Sequence, residues 1–253
     1  MVLNFSSARR RLRRPTAVIV LLAFPLVAAS VSGCGGGSSD GPATTVTQAF
    51  DFNAGMQGWT SDVSDLPANY NNAEDGFNIS YSVASLPTPL DTSKKALRLT
   101  SFNQSDDLWQ FLKRQVTGLK ANTRYQVRVN VEFASDAPEN SSGVGGSPGS
   151  SVYVKVGAAT QVPSVVIKDN ARVFTLDKGN NANEGTQARN VGNVGISGDT
   201  EVYKLKQLGN DARPLTVITD SDGKMWVYFG ADSGYEGRKT LYYTNVKLNF
   251  APA

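Results

Sequence analysis

The sequence predicts an all-β domain with antiparallel pairing, on three observations. Apolar residues recur at every second position in run after run, turn residues separate the runs, and no stretch sustains a 3.6-residue period with capping signals. A period of two sends one set of side chains to a buried face and the alternate set outward, as in a strand covered on one side.

The elements follow in order. Phe50 and Phe52 open the folded part, and Trp59, after Gly58, is placed to plug one end of the sandwich. Phe77-Ile79-Tyr81-Val83 and Leu97-Leu99 alternate next, and Trp109–Val116 leads through the turn 118–123 into the clearest run of the chain. There Tyr125, Val127, Val129, Val131 and Phe133 share one face, while Arg124, Gln126, Arg128, Asn130 and Glu132 share the other. Val152-Val154-Val156, Leu215-Val217, Met225-Val227-Phe229 and Val246-Leu248-Phe250 repeat the pattern. Ser221-Asp222-Gly223-Lys224 predicts a tight hairpin turn, Asp-Gly supplying the positive φ angles. Two regions break the alternation: 135–150 is rich in Gly, Ser and Pro, and 178–201 is rich in Asn and Gly. Loops of that length are functional or disordered.

The 253 residues hold 25 Lys and Arg against 22 Asp and Glu, a net charge of +3. Five of the basic residues, Arg9, Arg10, Arg11, Arg13 and Arg14, fall in residues 1–33, which contain no acid; the remainder carries 20 basic and 22 acidic groups, a net charge of −2. The basic balance belongs to the leader, so it is no argument for a nucleic-acid partner. The chain has no histidine and one cysteine, Cys34. This excludes Ser-His-Asp and Cys-His nucleophiles, imidazole zinc sites, an internal disulfide and cysteine metal clusters.

The arginines precede an apolar run from Ala17 to Ala29, too short for a stable transmembrane helix. It ends in Val31-Ser32-Gly33-Cys34, which resembles the lipobox of bacterial lipoproteins, where the cysteine is lipidated and becomes the new N-terminus. That resemblance implies a signal peptide over 1–33, lipidation such as palmitate at Cys34 and a membrane anchor in the cell envelope. Gly35, where some lipoproteins carry aspartate, implies the outer membrane in a Gram-negative host. Residues 34–48, mostly Gly, Ser, Thr, Pro and Ala, read as a flexible tether, leaving 49–253 for the β-sandwich.

Phe50-Asp51-Phe52 leading to Gly58-Trp59-Thr60 is similar to the opening of carbohydrate-binding-module jelly rolls. The stretches 116–125 and 241–248 resemble a turn-and-strand and a closing strand of such sandwiches. With Asp106-Asp107-Leu108-Trp109 and Gly145-Gly146-Ser147-Pro148-Gly149, the combination also resembles a group of uncharacterised bacterial lipoproteins. The resemblance implies a jelly-roll-like β-sandwich and a non-catalytic binding module for glycan or another envelope ligand; the rival is a structural or assembly lipoprotein whose partner is an envelope protein. It implies no cofactor beyond a structural calcium near the first and last strands. Here Thr244 stands at the position where the modules carry aspartate, so Asp51 and Asn245 are the remaining candidate calcium ligands.

Sugar-binding sandwiches set aromatic faces against pyranose rings and planar polar groups against hydroxyls. Opposite the presumed core faces lie Trp226 and Tyr228, Tyr153, and Tyr243; with Arg128, Asn130 and Glu132 they are candidates to pave one open sheet face, and Trp109 is a further ligand contact. The alternative is that loops cover these residues as a second layer of core. A glycosidase would need a carboxylate pair in a cleft, for which Glu132 or the pair Asp232 and Glu236 are the candidates; all three read as solvated surface charge, and catalysis is not expected.

Overall fold

The computed structural model describes residues 41–104 and 107–253. The leader and the lipidated Cys34 lie outside the described residues. The strands in chain order are β1 Val46–Asp51, β2 Thr60–Ser64, β3 Leu66–Pro67, β4 Ser80–Ser85, β5 Lys95–Asn103 and β6 Leu108–Val116. They continue with β7 Arg124–Ser135, β8 Val152–Ala159, β9 Val165–Lys168, β10 Ala171–Phe174 and β11 Ala188–Asn193. The last four are β12 Lys204–Gly209, β13 Leu215–Ile218, β14 Met225–Ser233 and β15 Gly237–Pro252. A single 3-10 turn, Phe52–Ala54, follows β1 and is capped by Asp51, whose Oδ1 accepts from the Asn53 N–H at 2.9 Å. Among the described residues no helix is long and apolar enough to cross a membrane.

Two antiparallel sheets face each other. The first has seven strands: β7 and β15 lie at its centre, β12 and β13 follow one another along the outer side of β7, and β5 and β1 follow one another along β15, with β4 beyond β5. The second runs β11-β8-β14-β6-β2. Tyr125, Val127, Val129, Val131 and Phe133 of the first sheet are buried in one cluster with Leu112, Val116, Val154, Val156, Val227 and Phe229 of the second, as the alternation predicts. Trp59 is 1% exposed within this cluster, its ring 4.9 Å from that of Phe229 and 5.6 Å from that of Phe50, so it belongs to the interior it was expected to plug.

The five-stranded sheet is covered on its outer face as well. A small sheet, β3-β10-β9, and the chain leading into β11 form a second apolar layer in which Phe174, Leu176 and Ala188 meet Trp109, Phe111 and Tyr228.

Three local expectations are revised. The strand β1 starts at Val46, inside the segment read as tether, because it pairs with β15 from Val46↔Phe250 to Asp51↔Asn245. The turn at 220–224 is tight, with Asp220 Oδ1 accepting from Asp222 and Lys224 N–H groups and Gly223 at φ +71°. It does not close a hairpin, however: β13 pairs with β7 in one sheet and β14 with β6 and β8 in the other, so the turn arches between layers. Finally, the 178–201 region contains β11, which pairs with β8. It is tied to the other long loop by the bridge Pro138↔Ile196, while Val144 bridges Glu236.

Candidate functional site

The two long loops meet over one end of the seven-stranded sheet. On β15, Lys239, Leu241 and Tyr243 turn inward, so Arg238, Thr240 and Tyr242 turn outward. Their cross-strand partners on β5 are Phe102, Thr100 and Arg98 in that order, and Ser80 and Ser82 of β4 continue two of these rows. Thr100 and Thr240 share a hydrogen bond between hydroxyls at 3.1 Å. Tyr203, just ahead of β12, sets its ring edge-on to Tyr242 at 5.4 Å and 90°. Its hydroxyl is hydrogen-bonded to the Asp136 carboxylate.

These groups border a hollow of about 330 Å³ lined in part by Asp136, Glu201, Tyr203, Arg238 and Thr240. Burial raises the Asp136 carboxyl above the usual carboxylate range, the Tyr203 hydrogen bond opposing it, and burial together with the Asp136 charge raises the Tyr203 phenol. The hollow thus offers a ring edge, a fixed hydroxyl, a guanidinium and two carboxyl groups. This combination suits a neutral, polyhydroxylated ligand with apolar C–H faces.

The residues expected to share one open face are divided between two. Trp226, Tyr228, Tyr153 and Trp109 lie on the outer face of the five-stranded sheet, whereas Arg128, Asn130 and Glu132 lie on the outer face of the seven-stranded one. Tyr228 and Trp109 are fully buried under the second apolar layer, the Tyr228 hydroxyl donating to the Gln187 carbonyl at 3.0 Å, so they are core residues. Trp226 and Tyr153 are half-buried. Tyr243 is fully buried between the sheets, 5.0 Å from the Phe229 ring, because a β-bulge between Tyr243 and Asn245 shifts the alternation by one residue and turns Tyr242 outward in its place.

Arg128, Asn130 and Glu132 are half-buried and bond to Gln126, Asp211 and the Thr244/Asn245 pair. Asp232 is not a surface charge: it is buried with no exposure and contacts Lys155 at 2.8 Å and Lys178 at 3.1 Å. Glu236 is half-buried, its N–H donating to the Val144 carbonyl at 2.9 Å.

Asp51 and Asn245 face each other across β1 and β15 and line a hollow of about 140 Å³ with Glu132, Lys94 and Lys95. The Asn245 amide donates to Glu132 Oε1 at 2.8 Å, and two lysines line the same space. Calcium takes roughly six to eight oxygen ligands. The residues here do not fit it.

The chain has similarity to solved β-sandwich domains at low identity. The xylan-binding CBM22-1 domain of Paenibacillus barcinonensis Xyn10C is 10% identical, over 84% of this chain and 99% of that one, with a TM-score of 0.39. The family 11 carbohydrate-binding module of Clostridium thermocellum, solved with a mixed-linked tetrasaccharide, is 10% identical over 82% and 96%, with a TM-score of 0.37. The K1 cleaved adhesin domain of Lys-gingipain from Porphyromonas gingivalis W83 is 12% identical over 80% and 97%, with a TM-score of 0.38. No family model matches the sequence, and no curated protein matches it. The class defined here, an antiparallel jelly-roll-like β-sandwich with a polar, aromatic-edged hollow on one outer sheet face, rests on the strand order and register above.

Proposed function

We propose that this chain is a non-catalytic, lipid-anchored module of the cell envelope that binds glycan through the outer face of the seven-stranded sheet. The observation that carries the reading is the edge-on Tyr203–Tyr242 pair, of which Tyr203 lines a hollow together with Asp136, Glu201, Arg238 and Thr240. Aromatic edges and faces bind the C–H surface of a sugar ring, and planar polar groups fix its hydroxyls. The anchor is Cys34, and the tether ahead of Val46 gives the domain reach from the membrane. Asp232, one carboxylate of the weighed catalytic pair, is occupied by two lysines, which disfavours hydrolysis.

A protein partner is the second reading, and one feature favours it. The strand β9 pairs only with β10 among the described strands, and Val166 and Ile167 on it are 47% and 59% exposed, an apolar edge open to strand addition. Titration with soluble polysaccharides and peptidoglycan fragments separates the two. Saturable binding that falls roughly tenfold or more in Tyr242→Ala supports the glycan site. Binding indifferent to Tyr242 and Arg238 overturns this site, and no binding across the panel moves the function to a protein partner at the β9 edge.

A further inference from the structure

The strands β8 and β14 are neighbours at the centre of the five-stranded sheet, with Lys155 opposite Gly230 and Tyr153 opposite Asp232. Lys155 and Asp232 are therefore diagonal neighbours on the outer face, a spacing that long side chains span. Both side chains are completely buried, and Lys155 Nζ lies 2.8 Å from Asp232 Oδ2. The backbone carbonyls of Lys178 and Asn183 accept from the same Nζ at 3.1 and 3.0 Å and hold it in place. On its other side Asp232 is paired across the sheet with Trp109, and the layer of Trp109, Phe111, Phe174 and Tyr228 makes this an apolar side of the sheet.

Two more carboxyl groups complete the cluster. Oxygens of Asp65, Asp107 and Asp232 all lie within 4.8 Å of one another. Burial raises Asp107 to about 6 and Asp65 above its ordinary value, and burial lowers Lys155. The two oxygens of Asp232 are in different situations. Its Oδ2 accepts from Lys178 Nζ and from the Asn181 N–H, both at 3.1 Å, whereas its Oδ1 is buried and accepts nothing. Asp107 Oδ1 is likewise buried without a donor. As a set of simple ion pairs the cluster is poorly satisfied, since a buried carboxylate oxygen without a donor is costly. As a reaction site it is well furnished. An amine is in contact with a carboxyl group, donors hold one of its oxygens, and two further carboxyl groups of raised pKa lie within 4.8 Å of it.

We propose that Lys155 and Asp232 are joined by an amide bond, an intramolecular isopeptide cross-link between β8 and β14. The Lys155 ammonium passes a proton by way of Asp107 to Oδ1 of Asp232, and the freed Nζ attacks Cγ of the carboxyl group so neutralised. The charge that develops on Oδ2 is held by Lys178 and the Asn181 N–H. The Cγ–Oδ1 bond then breaks. The departing oxygen keeps the proton it received, takes a second from Nζ, and leaves as one water. The ammonium and carboxylate become an amide N–H, a carbonyl and water, with Asp107 regenerated and nothing oxidised or reduced. Fixed contact replaces the encounter of two reactants, and the relay supplies general acid–base catalysis. The chain has a single cysteine and so cannot staple itself with a disulfide; this bond would tie together two central strands of the sheet.

The test is peptide mapping of the full chain, digested with trypsin after denaturation. The expected result is a branched species joining the peptide that ends at Lys168 to the one that ends at Arg238, lighter than their sum by one water and resistant to cleavage after Lys155. Recovery of both segments only as linear peptides, cut after Lys155, overturns the proposal. In Asp107→Asn, with folding verified by circular dichroism, the branched species is expected to accumulate roughly a hundredfold more slowly. An unchanged rate overturns the relay assigned to Asp107.

Discussion

Lys239 turns to the interior side of β15 and is buried, with its Nζ donating to the Ala231 carbonyl at 3.3 Å. Burial pushes its pKa down to about 7, the attraction of Asp232 opposing the shift. Between about pH 7 and the ordinary lysine range near 10.5, the unfolded chain holds a proton that the folded chain does not. Stability from this group therefore rises with pH across that window and is lowest at neutral pH and below. Lys239→Met is expected to stabilise the domain by about 1–3 kcal/mol at pH 7 in urea unfolding, with the gain shrinking toward pH 10. A gain independent of pH would mean that the lysine is neutral or solvated throughout. Tyr228 gives a second residue-scale test. Its hydroxyl makes one buried hydrogen bond, to the Gln187 carbonyl, so Tyr228→Phe is expected to cost about 1 kcal/mol in the same assay and leave ligand binding unchanged.

At the scale of the element, the bulge in β15 decides which aromatic is offered to solvent. Alternation counted back from Phe250, Leu248 and Val246 puts Tyr243 outside, and nothing in the sequence marks the extra residue at Thr244. The bulge is held by Thr244 itself, whose Oγ1 donates to Glu132 Oε1 at 2.6 Å. Deleting Thr244 leaves Tyr243 and Val246 two residues apart and both inward, with Tyr242 still outside, so the expected loss in denaturant unfolding is about 1–2 kcal/mol, from the Thr244–Glu132 hydrogen bond. A loss of about 3 kcal/mol or more, comparable to removing a core aromatic, would show that the packing of the strand needs the bulge. The strand β7 has no such irregularity, and its two faces were legible residue by residue from Arg124 to Glu132. The same contrast holds for the turn at 220–224. Asp-Gly chemistry specified its tightness, but local chemistry does not say whether the next strand returns to the same sheet or crosses to the other.

For the whole molecule, the all-β class was legible because a period of two persists over most strands, and a buried face is required wherever it does. The candidate site was not, because it depends on distant segments meeting. Asp136 begins one long loop, Glu201 and Tyr203 close the other, and Arg238 and Thr240 come from β15, with Tyr242 reaching the site through its contact with Tyr203. The two irregular loops were the one signal in the sequence that pointed there. For Trp109 and Tyr228 the alternative of a second layer of core is the one found: β9, β10 and the chain to Ala188 cover that face, which only long-range packing reveals.

Glycan is assigned to the outer face of the seven-stranded sheet, beside Tyr203 and Tyr242, and paired variants on opposite sheet faces separate that face from the other. Isothermal titration of the full chain with a polysaccharide that it binds would be run on Tyr242→Ala and Trp226→Ala in parallel. Tyr242→Ala is expected to weaken binding roughly tenfold or more, while Trp226→Ala binds as the unaltered chain does. The reverse pattern, or equal losses in both, would contradict the site.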